Sequence, residues 1–183
     1  MIRTPRLLLR QWRPEDREPF AAMGRDPAVM EHFPALLTRG ESDAGADRAE
    51  AYIAQNGFGF WAVEIPGEAS FAGFLGLKRP LFEAHFTPCI EVGWRLARPF
   101  WGRGYATEGA AAALEFGFTR LALEEIVAYA VPANVRSLAV MRRIGMQFSE
   151  EFDLPGLAED DPLRRHVLYR IAQQDWRSRS ATN

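Results

Sequence analysis

One stretch constrains this chain more than any other: Arg98-Pro99-Phe100-Trp101-Gly102-Arg103-Gly104-Tyr105-Ala106-Thr107-Glu108. Two glycines and an arginine stand there between an aromatic run and an alanine-rich helical pattern. Gly102 and Gly104 permit positive backbone φ and a close main-chain approach to a ligand. The start of the next helix adds unpaired N–H donors and the positive end of a dipole. Together they form an anion cradle that suits a pyrophosphate. The dipole contributes only about 0.3–1 kcal/mol, so several N–H groups acting together must supply most of the affinity.

The flanking segments have the order such a cradle needs. Cys89–Leu96 reads as a strand that delivers the chain to the loop. Beyond the loop, Ala106, Ala110, Ala113 and Leu114 give a helix a slim buried side, with Glu108 and Glu115 outward. Ile126–Val131 is a buried-type strand closed by Pro132. A helix then runs from Val135 to Ile144, stopped by Gly145, and Asn134, Ser137 and Met141 fall on one stripe of it that a single ligand can meet.

Upstream, Leu7-Leu8-Leu9 reads as a short strand. A helix starting at Pro14-Glu15-Asp16 carries Phe20 and Met23 inward, and Asp26-Pro27 opens a short second helix through Val29 and Met30. Ser42 caps a third, with Ala46, Ala49, Tyr52 and Ile53 on one stripe until Asn56-Gly57. Phe60–Ile65 and Phe71–Leu77 form a hairpin about Pro66-Gly67, with Phe58, Phe60, Trp61, Phe71 and Phe74 as core aromatics. Met146–Phe152 and Arg164–Ile171 close the pattern as two strands. Residues 1–176 make one domain, and the Ser/Arg tail 177–183 is expected to fray.

Composition removes several classes of function. A net charge of −2 over 183 residues supplies no field for nucleic acid or an anionic membrane. The single cysteine, Cys89, excludes an internal disulfide, and no Cys/His cluster has structural-zinc spacing, so no metal is expected. The N-terminus lacks a secretory apolar core and no apolar run approaches spanning length, which points to the cytoplasm. The loop lacks a Gly-Lys-Ser/Thr ending, and no ribose-binding acid sits in a dinucleotide unit, which argues against a nucleotide-phosphate enzyme.

Trp101-Gly102-Arg103-Gly104-Tyr105-Ala106, followed by Asn134-x-x-Ser137 and Gly145-Met146, resembles the acetyl-CoA signature of the GNAT N-acetyltransferase superfamily. Thr4-Pro5-Arg6-Leu7-Leu8-Leu9-Arg10, Ile90-Glu91-Val92-Gly93-Trp94 and Tyr105-Ala106-Thr107-Glu108 look like its ribosomal-protein N-terminal (RimJ/RimL-like) branch. The resemblance covers nearly the whole chain. It implies an α/β fold with a mixed, mostly antiparallel twisted sheet flanked by helices, whose splayed strands Cys89–Leu96 and Ile126–Val131 hold acetyl-CoA. Trp94 and Leu96 on the strand edge, Trp101 to Thr107 (with Arg103 among them) at the pyrophosphate, and Asn134 at the pantetheine arm are the implied contacts. Trp101 departs from the superfamily's usual Gln or Arg. Met141 stands where many members have a proton-donating Tyr, so the acid role falls to Ser137, to a water, or to no side chain.

The implied reaction is direct acetyl transfer to a primary amine, with no covalent enzyme intermediate. The acceptor is a protein N-terminus or a small molecule such as a polyamine, an aminoglycoside or an amino-acid metabolite. The rival from another class is a non-catalytic CoA-binding regulator, and the chain is expected as a monomer or homodimer. Glu91 is the candidate base, acting through a water; on spacing alone it also reads as a solvent-facing strand carboxylate. An α-amine with pKa near 8 is about a tenth free base at neutral pH, whereas a lysine near 10.4 is far less so, and weak base assistance therefore suits the former. His32 and Phe33 are placed at the border of the acceptor pocket. His85 and His166 receive ordinary surface or packing roles, and Cys89 reads as a small apolar residue without a basic partner. The acids from Glu150 to Asp161 read as solvated loop charge or as an attractor for a cationic acceptor.

Overall fold

The computed structural model describes residues 1–180. β1 (Ile2–Arg3) and β2 (Leu8–Arg10) form the antiparallel edge of the sheet, and a 3-10 turn at Pro14–Asp16 leads into α1 (Arg17–Gly24). The helix expected after Asp26-Pro27 is a single turn. Asp26 C=O accepts from the amides of Val29 and Met30, its side chain caps Ala28 N–H at 2.9 Å, and the one bond that follows, Phe33 N–H to Met30 C=O at 2.9 Å, closes a separate turn.

α2 (Arg39–Asn56) begins earlier than the Ser42 cap predicts. Thr38 and Glu41 form a reciprocal capping box, in which Thr38 N–H donates to Glu41 at 2.8 Å and Glu41 N–H to Thr38 Oγ1 at 3.2 Å. Ser42 lies inside the helix, fully buried, and a side chain at Gly24 would meet its hydroxyl at 3.1 Å, so it serves close contact between α1 and α2. Gly57, at φ 76°, ends the helix.

β3 (Phe60–Ile65), β4 (Ala69–Lys78) and β5 (Glu91–Leu96) form an antiparallel meander. α3 (Tyr105–Arg120) packs across its back; a side chain at Gly109 would strike Leu75 at 2.3 Å, so the slim face read in the alanines extends to the glycines. β6 (Glu125–Ala130), α4 (Val135–Arg143), β7 (Gln147–Asp153), β8 (Arg165–Ala172) and α5 (Gln173–Ser180) complete the chain. α5 continues as helix through residues 177–180 of the tail expected to fray; 181–183 lie outside the described residues.

The sheet order is β1-β2-β3-β4-β5-β6-β8-β7, antiparallel at every junction except the parallel β5/β6 pair. That junction is the fold's discontinuity. β4 and β5 stay in register from Gly73↔Leu96 to Lys78↔Glu91, and β6 and β8 do so along all of β6, yet β5 meets β6 only at Glu91↔Val127. Beyond that point the two strands diverge, and the splay that the resemblance implies is present. No described helix is long and apolar enough to cross a membrane.

Candidate active site

The V between β5 and β6 exposes main chain. Ala97 N–H donates to Ala72 C=O at 2.9 Å, and antiparallel alternation then commits residues 91, 93 and 95 to β4, so the amides and carbonyls of Val92, Trp94 and Leu96 face the gap. Leu96 C=O is taken by Trp101 Nε1 at 2.7 Å. A cavity of about 1110 Å³ fills the V.

At one end of that cavity lies the glycine loop. Gly102 (φ 71°) and Gly104 (φ 81°) are both left-handed, and the amides of residues 102–107 donate to no other backbone group before Glu108 N–H reaches Gly104 C=O. Gly104 is the N-cap of α3, so the loop presents a nest of free donors at a helix start. The N-terminal segment braces it. Glu108 accepts from Thr4 Oγ1 at 2.6 Å, Arg6 N–H at 2.9 Å and Arg6 Nε at 2.6 Å, while Arg6 Nη1 donates to Arg103 C=O at 2.9 Å. Glu108 therefore faces inward as a clamp, correcting the outward placement. Partial burial raises its pKa, but hydrogen bonds from Thr4 and Arg6 outweigh that and hold it below the ordinary carboxylate value. Arg103 turns away from the cavity, paired with Glu68 and lying over the Tyr105 ring at 4.9 Å.

Across the cavity, β5 offers a second face. Side chains alternate along a strand, so Glu91, Gly93 and Arg95 lie opposite the Val92-Trp94-Leu96 side. Burial pushes the Glu91 carboxyl up to about 7, against the pull of a Tyr129 hydrogen bond and the Lys78 charge. Tyr129 is driven up in turn, by its own burial and then by Glu91. Asn134 caps α4, its Oδ1 accepting from Ser137 N–H at 3.1 Å, and Ser137 shares the cavity wall with the buried Met141. His32 and Phe33 reach the same cavity from the single turn after α1, as the family likeness implied.

The cavity thus brings together every candidate residue except Arg103 and adds several that the sequence did not disclose. Phe60 and Phe74, expected in the core, are half-buried and line it. Tyr129, Arg95 and His166 line it too; burial lowers the His166 pKa. Cys89 is half-buried with its thiol pushed up to about 11, chiefly by desolvation and then by Glu91, which suits the unreactive reading. Two acids of the closing hairpin have basic partners on the protein: Asp153 is tied to Arg164 at 3.2 Å and to Arg165 at 3.1 Å, and Glu150 to His85 at 3.0 Å and to Arg170 at 3.5 Å. Among the described residues, no group of three or more His, Cys, Asp or Glu is arranged to hold a metal.

The family model for the acetyltransferase (GNAT) domain matches residues 6–147. The chain is a GNAT acetyltransferase. It is 27% identical over 176 residues to an uncharacterized N-acetyltransferase, YnaD, of Bacillus subtilis (strain 168), an alignment spanning 96% of this chain and 98% of the relative. A GNAT-family acetyltransferase structure from Bacillus anthracis superposes with a TM-score of 0.79 at 25% identity, covering 94% of this chain and 98% of that one. At 19% identity and a TM-score of 0.75, a Vibrio cholerae structure named for ribosomal-protein-serine acetyltransferase activity shares the fold, covering 93% of this chain and 96% of its own. In this GNAT chain the loop, the strand splay and the α4 cap occupy one cavity.

Proposed function

We propose that the chain transfers the acetyl group of acetyl-CoA directly to a primary amine in the cytoplasm, with a protein N-terminal α-amine as the first acceptor class and small-molecule amines as the second. The observation that carries this reading is Glu91: a carboxyl that lines the cavity with Tyr129, at the one position where β5 and β6 still pair, with its pKa raised to about 7 by burial. The cavity also fits the co-substrate, because the free amides from Gly102 to Thr107 suit a pyrophosphate and the open main chain at Val92 and Trp94 suits a pantetheine arm. The likeness to the ribosomal-protein branch lies in Thr4-Pro5-Arg6 and Glu108, which here form one clamp.

Acetyl-CoA supplies an already activated acyl group, so this chain has three tasks: positioning, charge stabilisation and proton transfer. The gap-facing amides of β5 donate to the carbonyl oxygen as it gains charge. Glu91, through a water, takes the proton that the amine nitrogen loses as it bonds to the acetyl carbon. The carbon–sulfur bond then breaks, and the departing sulfur is protonated by Ser137 or by water, because the Met141 thioether has no proton to give.

Ser137→Ala is expected to lower kcat by about tenfold, at or below the usual range for a positioned acid. Full rate at saturating acetyl-CoA would assign that proton to water. Glu108→Ala releases Thr4 and Arg6 together and is expected to raise acetyl-CoA KM by roughly tenfold, the scale of one lost charge-assisted hydrogen bond. Binding titration should show the same change, and an unaltered affinity would mean that the clamp does not shape the loop. The deciding experiment is CoA release with mass identification of products over peptides, polyamines, aminoglycosides and amino acids. Binding without product would return the chain to a CoA-binding regulator.

A further inference from the structure

The cavity contains a half-buried cation that the proposed chemistry leaves unused. Arg95 lies in register with Phe74, its guanidinium centre 3.8 Å from the Phe33 ring centroid and 5.3 Å from that of Phe74. Its Nε is buried without a hydrogen-bond partner, and the guanidinium forms no ion pair with any described residue. Elsewhere the chain pairs arginines freely, as with Arg10, Arg39 and Arg170. Burial lowers the Arg95 pKa to about 10, so it stays charged at neutral pH. The aromatic neighbours offset part of its desolvation, but a ring supplies no oxygen for the guanidinium fork.

We propose that Arg95 is an anion-recognition site in the acceptor half of the cavity, and that the amine acetylated here carries a carboxylate or phosphate several bonds from its nitrogen. The inference rests on the acetyltransferase reading, with the amine at Glu91. Arg95 is on the same β5 face as Glu91, the base assigned to the amine, and stands over Phe33, so its ligand is the acceptor. Four residues along the strand put the Arg95 and Glu91 Cα atoms about 13 Å apart, which suits an anion several bonds from the amine better than one adjacent to it. Gly93 lies between them, and a side chain there would strike Phe60 at 2.8 Å; the floor is therefore the Phe60 and Phe74 rings, whose centroids are 5.4 Å apart. An apolar spacer fits that floor, with a bidentate anion at the guanidinium end.

The test compares twins that differ in the anionic group: ε-aminocaproate against ε-aminocaproamide, 6-aminohexyl phosphate against 6-aminohexanol, and Ala-Asp-Ala-amide against Ala-Asn-Ala-amide. In the wild-type protein the anionic member is expected to have the higher kcat/KM by about ten- to hundredfold. Arg95→Gln should bring the twins together by raising KM for the anionic one, with acetyl-CoA KM unmoved, and Arg95→Lys should keep part of the preference. The carboxylate and phosphate arms identify which anion is read. No preference in the wild type, an equal loss for both twins, or a raised acetyl-CoA KM overturns the assignment. Thermal shifts of the CoA-bound protein by the same compounds decide the matter independently of turnover. Stabilisation by the anionic twins that Arg95→Gln abolishes supports the site even without acetylation, in which case the acetyltransferase reading is what fails. No selective stabilisation rejects the site.

Discussion

Glu91→Gln is expected to lower kcat at pH 7 by on the order of a hundredfold while leaving acetyl-CoA affinity within about twofold of wild type, because a positioned base contributes to the proton transfer rather than to cofactor binding. Glutamine keeps the shape and can still meet Tyr129, so the variant isolates the proton acceptor. Only the deprotonated carboxyl accepts a proton, and burial holds its pKa at about 7. The wild-type kcat/KM should therefore rise with pH through about 7 and, for an α-amine acceptor, again through about 8, levelling above both. In Glu91→Gln the limb near 7 should vanish and that of the amine remain. The deficit should narrow near pH 9, where an α-amine with pKa near 8 is already free base. Wild-type turnover in the variant across pH would remove Glu91 from the mechanism.

The same carboxyl leaves a mark on stability with a definite sign. Its folded pKa, about 7, lies above its ordinary 4.5, so the folded chain holds a proton that the unfolded chain releases. Stability from this group is fully present below pH 4.5 and is lost as pH rises through 7. Glu91→Gln does not titrate, so the ligand-free variant should gain on wild type between pH 4 and pH 8, by up to about 3 kcal/mol for a shift of this size. Urea midpoints across that range measure it. A variant that loses turnover and gains alkaline stability has the exchange between function and stability expected at a buried catalytic carboxyl.

Local chemistry decided how much of this was legible in the sequence. The Gly102–Gly104 loop and the helix after it could be read because left-handed glycines and a slim alanine face leave a linear trace. The β5/β6 splay was available only through the family resemblance, since no residue pattern encodes a missing strand contact. Thr38 was passed over as a cap in favour of Ser42, although Thr38 and Glu41 carry the capping-box spacing that marks the true start. Glu108 looked like a surface acid because its partners, Thr4 and Arg6, are a hundred residues away. Phe60 and Phe74 alternate as core residues do, and periodicity cannot separate a core face from a cavity floor. Arg95 was hidden for the complementary reason: a charged strand residue ordinarily points to water, and only the rings of Phe33 and Phe74 show that it does not.

Asp16→Ala is expected to cost 3–5 kcal/mol of folding stability, the range for removing one partner of a buried ion pair and stranding the other. Arg10 and Asp16 are both almost completely buried, joined by two hydrogen bonds of 2.7 and 2.8 Å, and Asp16 also accepts from Arg13 N–H at 2.8 Å. Glu64 accepts from Arg10 Nε at 2.8 Å but is 22% exposed, so water can replace it in part, and Glu64→Ala should lose less than half as much. The pair fastens β2 and the Pro14–Asp16 turn to β3, and that turn sets where α1 lies. α1 in turn places Phe20 against Trp12 and Phe74, at centroid distances of 5.0 and 5.9 Å, and Phe74 is the ring beneath Arg95. Loosening this corner should therefore reach the acceptor wall before the cofactor loop, which is braced separately through Glu108. The expected pattern in Asp16→Ala, at a temperature where it remains folded, is a raised acceptor KM with acetyl-CoA KM near wild type. Urea midpoints near those of wild type would mean that Glu64 and the Gln11 and Ser70 carbonyls suffice for Arg10.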